Sequence, residues 1–157
     1  MKYGQKMLDV NMANIVEEIA KAKALLTEGN YTCVFVKESE VYTSTERGVK
    51  PLMQLLESRG QMTDYVVADK VVGKAAAYLY VLLNVKKVYA VVLSTPAKMV
   101  FEKYEIDAEA ETEVEAIRNR TNTGFCPMEQ AVKNVEAIEE VPDILRETLK
   151  KLQKQGS

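Results

Sequence analysis

Residues 88–93 read Val88-Tyr89-Ala90-Val91-Val92-Leu93, an apolar run of strand length with no alternation of polar positions. A strand of that kind needs cover on both faces, so it belongs in the middle of a sheet with helices packed on it. Around it the spacing predicts further elements. Ile15, Ile19, Ala22, Leu25 and Leu26 recur at helical intervals over residues 14–28, and Gly29-Asn30 stops that helix. Residues 31–37 and 41–45 are rich in β-formers and are separated by Glu38-Ser39-Glu40, which favours an antiparallel hairpin. Pro51 opens a short helix over residues 52–57.

Residues 65–85 read as one long helix, with Asp69 as its N-cap and Val72, Ala76, Leu79 and Leu83 as its apolar stripe. Ser94-Thr95-Pro96 starts another, ending near Tyr104. Ile106, Ala108 and Ala110 alternate with acids, as in an edge strand over 106–111 whose charges discourage pairing with other chains. Residues 114–118 are read as helical, 118–124 as a polar loop, and 127–132 and 143–153 as helices. The expected fold is α/β, a mixed sheet with helices on its faces. The first 11 residues are read as an N-terminal extension and 12–157 as a single domain.

Composition narrows the chemistry. The chain of 157 residues has no histidine and two cysteines. Histidine-assisted serine and cysteine nucleophiles are therefore excluded, and two sulfurs cannot supply the four ligands of a structural zinc site. No metal and no cofactor is expected. A net charge of −2 gives no global field for nucleic acid, and no apolar run is long enough to cross a bilayer. The start of the chain lacks the apolar core of a signal peptide, so the cytoplasm is the expected location. The expected partner is a small molecule.

Four groups carry candidate chemistry. Cys126 precedes Pro127, which would place its thiol at a helix N-terminus, where the dipole favours a thiolate; Glu129 would fall at N3, in capping-box position. Asp69, Lys70 and Lys74 cluster, and two lysines four apart at the start of a helix call for an anion nearby. Arg118, Arg120, Asn122, Thr123 and Gly124 combine guanidiniums, amides and a hydroxyl before a helix start, chemistry suited to phosphate or carboxylate. Ser94 and Thr95 follow the central strand, where α/β sheets gather ligands. Each group also has a plainer reading: a buried thiol beside a proline cap, an N-cap with two solvated lysines, a polar connection, and simple capping hydroxyls.

Three stretches carry a resemblance: Gly29-Asn30-Tyr31-Thr32-Cys33, Ala68-Asp69-Lys70-Val71-Val72-Gly73-Lys74-Ala75-Ala76-Ala77 and Thr123-Gly124-Phe125-Cys126-Pro127-Met128-Glu129. Together, across residues 14–134, the chain resembles the family called domain of unknown function 1893. The resemblance implies a cytidine-deaminase-like fold, a three-layer arrangement with helices on both faces of the sheet, and it brings no established activity. Deaminases of that fold place His-x-Glu or Cys-x-Glu at the start of the helix after the hairpin and Pro-Cys-x-x-Cys at the start of the next helix. Set against residues 67–71 and 96–100, the comparison finds neither ligand set, with Ala97 and Val100 at the cysteine positions.

The leading expectation is a zinc-free deaminase-fold protein that binds a small polar or anionic ligand, nucleotide-like in kind, near the helix starts at Asp69, Thr95 and Pro127. One alternative is an enzyme in the same pocket, with Cys126 as nucleophile or redox thiol and Asp69 or Lys70 moving protons. Another is an interaction module without a ligand. Analogy of fold adds a homo-oligomer as an expected partner state.

Overall fold

The structure, a computed structural model, describes residues 2–119 and 124–156. A first helix, α1 (Lys2–Glu28), ends where Asn30 takes a left-handed φ of 55°. It therefore begins at Lys2 and runs through the segment read as an extension. The hairpin follows as expected, β1 (Cys33–Lys37) and β2 (Glu40–Ser44), closed by a tight turn with Glu38 at φ 53°. Then come α2 (Lys50–Arg59), β3 (Val66–Val72), α3 (Lys74–Leu83), β4 (Lys87–Ser94), α4 (Thr95–Lys103) and β5 (Asp107–Val114). The chain closes with α5 (Pro127–Val132), a 3-10 turn (Ile138–Glu140) and α6 (Val141–Gly156).

The sheet has five strands in the order β2-β1-β3-β4-β5. β1 is antiparallel to both β2 and β3, whereas β3, β4 and β5 run parallel. Alternation along the strands assigns the two faces. Val34, Val36, Val66, Ala68 and Tyr89 pack with Ile19, Ala22 and Leu26 of α1. Cys33, Phe35, Val67, Val88 and Ala90 share the larger core with residues of α2 to α6. This is a three-layer α/β fold on a mixed sheet. The run at 88–93 is an inner strand, and the strand expected over 106–111 is the edge strand β5, with Ala108 and Ala110 against the core.

The single helix expected over 65–85 is two elements. Val66, Val67 and Val72 are completely buried on a strand, Gly73 breaks the chain, and only then does α3 begin. Burying a valine side chain is worth about 1.5–3 kcal/mol, whereas its helix propensity differs from alanine's by at most about 0.7 kcal/mol. Burial in the sheet decides the matter. Asp69 is thus a strand residue and not an N-cap, and Lys70 and Lys74 do not share a helix face. The helix expected over 114–118 is also absent: β5 extends to Val114, and residues 115–119 form an irregular connection.

Candidate functional site

At the carboxyl end of β3, where β1 begins, lies a cleft of about 930 Å³. It is bounded by the starts of α2 and α3, by residues 117–119, by the start of α5 and by the last turns of α6. Val49, Pro51, Leu52, Met128, Leu149 and Leu152 give it apolar walls. Its acids are Asp69 and Glu129, and its cations are Arg47, Lys70 and Arg118. The position agrees with the rule that ligands gather beyond the carboxyl ends of strands.

Asp69 sits opposite Cys33 on β1 and Ala90 on β4. Tyr80, fully buried on α3, donates its hydroxyl to Asp69 Oδ2 at 2.5 Å, and the Val71 N–H donates to Oδ1 at 3.2 Å. Burial pushes the Asp69 carboxyl up to about 7, against the Tyr80 and backbone hydrogen bonds that favour its charged form. Burial raises the Cys33 thiol, and the Asp69 charge raises it further. Tyr80 is raised well above its ordinary value by burial and then by Asp69. Within this trio only Asp69 changes charge near neutral pH.

Glu129 stands at N3 of α5, but it closes no capping box there. Its carboxylate reaches across to α3 and accepts the Lys74 N–H at 2.6 Å and the Ala75 N–H at 2.8 Å. Two of the orphan donors at the start of α3 are satisfied this way. The close approach explains Gly73, because a Cβ there would overlap the Glu129 carboxyl. Burial raises the Glu129 carboxyl, opposed by those two hydrogen bonds and by the charge on Lys74.

The other expected site residues separate into groups. Lys70 Nζ donates to Asn30 Oδ1 at 3.4 Å at the edge of the cleft. Lys74 turns away and donates to the Lys133 carbonyl at 2.9 Å, beside a neighbouring hollow of about 380 Å³ that also contacts Glu129. Ser94 is buried and caps α4 by accepting the Ala97 N–H at 3.2 Å, and Thr95 donates to the Val114 carbonyl at 3.3 Å. Neither lines the cleft. The Gly124 N–H donates to Asn119 Oδ1 at 3.4 Å, and Arg118 stacks 5.5 Å from the Phe125 ring centre. Arg120, Asn122 and Thr123 lie outside the described residues.

Arg47 and Tyr80 also belong to the site, and neither lies in a motif or spacing that marks it in the sequence. A lone aspartate within a run of valines was the available signal for a buried acid needing a partner.

Cys126 is the N-cap residue of α5, half-buried, and lines the cleft. Cys33 is 2% exposed. Iodoacetamide is therefore expected to label Cys126 in the native protein and Cys33 only after unfolding, each followed by mass spectrometry. Faster native labelling of Cys33 would contradict this ordering.

The comparison with deaminase motifs shifts by one strand and one helix. The helix after the hairpin is α2, starting Val49-Lys50-Pro51-Leu52, and the helix after the next strand is α3, starting Gly73-Lys74-Ala75-Ala76. Residues 67–71 lie instead on β3, and Pro96 opens α4, one helix later. The starts of α2 and α3 both border the cleft, and neither of these two stretches holds histidine, cysteine, aspartate or glutamate. Among the described residues, no group of three or more such side chains is arranged to hold a metal ion. None of the described helices is long and apolar enough to cross a membrane.

A search of curated proteins finds no match. Among solved structures, the chain is similar to the crystal structure of a DUF1893 family protein (TM1506) from Thermotoga maritima. The TM-score is 0.79 at 21% identity, over 83% of this chain and 89% of that one. At that identity the likeness speaks for the fold. A family model described as "TM1506: Domain of unknown function (DUF1893)" matches residues 21–149, which include β1 to β5, the cleft acids and Cys126. The chain belongs to the DUF1893 family.

Proposed function

We propose that the cleft binds a small anionic, nucleotide-like molecule on a zinc-free, cytidine-deaminase-like frame, in a binding or regulatory role. The observation that carries this is the composition of the cleft: apolar walls, the cations Arg47, Lys70 and Arg118, and the acids Asp69 and Glu129, in about 930 Å³. That volume accommodates a nucleoside monophosphate, and binding sites commonly pair apolar walls with a few polar groups. The deaminase-like frame is supported by the order of elements, which brings the starts of α2, after the hairpin, and of α3, after the next strand, to the cleft.

Binding of inorganic phosphate and ribonucleoside monophosphates, followed by thermal shift and calorimetry, tests the reading. At least one monophosphate should raise the melting temperature. Lys70→Ala and Arg47→Ala should each weaken it about tenfold, or about 1.4 kcal/mol. Lys70 makes one long exposed contact, so its removal should change folding stability by no more than about 0.5 kcal/mol. Absence of any shift with every probe would overturn the reading.

A second reading is catalytic. A carboxyl pushed up to about 7 in a cleft is suited to general acid–base work, and Cys126 lines the same space. Chemical conversion of a bound monophosphate, detected by mass spectrometry and lost in Asp69→Asn, would favour it over simple binding.

A further inference from the structure

The two acids of the cleft are not equivalent. Glu129 has one oxygen on the Lys74 N–H and the other on the Ala75 N–H, and its approach to Gly73 leaves it no freedom to turn. Asp69 is held differently. It receives one hydrogen bond at each oxygen, from Tyr80 and from Val71. The nearby Lys70 N–H is engaged with the Thr32 carbonyl at 3.1 Å and also favours the charged form of Asp69. An ionised carboxylate offers about four acceptor positions, more than these donors fill, so Asp69 keeps acceptor capacity, and it borders the cleft.

We propose that Asp69 is the specificity-determining acceptor of this cleft, and that its ligand carries two adjacent N–H donors on one edge of a planar ring, as guanine does, joined to an anionic group held by Arg47 and Lys70. This deepens the ligand-binding reading above and rests on it. Side-by-side donors match the two oxygens of a carboxylate in parallel hydrogen bonds. Adenine and cytosine present a donor next to an acceptor on the corresponding edge, which would suit a neutral carboxylic acid. The protein's own contacts decide between these. The Val71 N–H can only donate, Tyr80 directs its proton at Asp69, and both hydrogen bonds favour the charged carboxylate.

The pH response follows with a definite sign. The groups around Asp69 are Cys33 from β1, Tyr80 from α3, and Arg47, Lys70, Arg118, Cys126 and Glu129 around the cleft. Burial holds Cys33 and Tyr80 protonated far above neutrality. A ligand with two donors binds the carboxylate, so it drives proton release and its affinity rises as pH passes through about 7. A ligand pairing with the neutral acid would weaken over the same range.

Calorimetric titration with guanosine, inosine, adenosine and cytidine 5′-monophosphates and with inorganic phosphate, at pH 6 and pH 8, tests this. Inosine monophosphate lacks the second donor and isolates its contribution in the unmodified protein. Guanosine monophosphate should bind at least tenfold more tightly than the other three. Its affinity should gain several-fold from pH 6 to pH 8 beyond any change seen with phosphate alone. Asp69→Asn, shown to be folded by circular dichroism, should abolish both effects while leaving weak binding of all four. Equal binding of the four monophosphates, or a preference untouched by Asp69→Asn, would overturn the role of Asp69 and leave the anion-binding reading intact. Failure of all five probes to bind would overturn both.

Discussion

Asp69→Asn is expected to make the folded protein more stable above pH 7. In the native fold the Asp69 carboxyl stands at about 7, against an ordinary value of 3.8. The folded state therefore holds a proton that the unfolded chain releases between those two values. Below the lower value both states are protonated and no difference arises. As pH rises from about 4 to about 7 the wild type loses stability, and above about 7 the loss is complete. At about 1.4 kcal/mol per pKa unit, the asparagine variant should gain up to about 4 kcal/mol on this account.

Tyr80 can accommodate the change, because its hydroxyl both donates and accepts and so can pair with either end of the amide. Urea unfolding at pH 5, 6, 7 and 8 on both proteins is the measurement. The difference should widen with pH and then level off. A difference that stays constant over this range would show that Asp69 is not held protonated. Stability given up for a charge that can form in a cleft is the pattern of a functional site, where substitutions that remove function often strengthen the fold.

Glu129→Ala should have the opposite effect, a loss of about 2–4 kcal/mol and a fall in melting temperature of roughly 5–15 °C. The carboxylate accepts two N–H groups at the start of α3, and both bonds are partly buried and charge-assisted. Removing it strands two donors and unties α5 from α3. Glu129→Gln keeps one acceptor and should lose about half as much. Hydrogen exchange resolves the cause: the Lys74 and Ala75 amides should exchange faster in the alanine variant. A stability change below about 0.5 kcal/mol, with unchanged exchange, would mean that water replaces the carboxylate without cost.

How far each feature could be read depends on where its determining contacts lie. β4 and β5 were legible because composition along the strand states the demand directly: an unbroken apolar run needs two covered faces, and alternating alanines and acids need one. The start of α4 was legible because Ser94 bonds three residues ahead. The junction of β3 and α3 was not. The stripe of Val72, Ala76, Leu79 and Leu83 is real for the helix, and the valines before it extend the same apolar signal backwards. What separates them is the pairing of Val67 with Phe35 and with Val88, contacts from opposite directions along the chain.

The candidate site divides in the same way. Asp69, Lys70, Cys126 and Glu129 are all legible as candidate residues, and Cys126 stands at the start of α5 as its place before Pro127 implies, whereas Asp69 and Glu129 have partners that lie outside their own segments. Asp69 was read as a cap for its own helix, and Glu129 as closing a box at its own helix start. Glu129 in fact bonds a backbone 55 residues away. Arg47 gave no periodic or motif signal, and only the meeting of the starts of α2 and α3 brings it to the cleft.

The sequence by itself determined the class of fold, most of the helices and strands, and the exclusion of histidine-based chemistry, because these depend on residue types and on periodicities within about ten positions. The tertiary structure alone decided that Asp69 is a half-buried strand acid paired with Tyr80, that Glu129 caps a distant helix, and that Ser94 and Thr95 stand apart from the cleft. Those outcomes turn on strand order and register, where a shift of one residue would point Asp69 to the opposite face of the sheet.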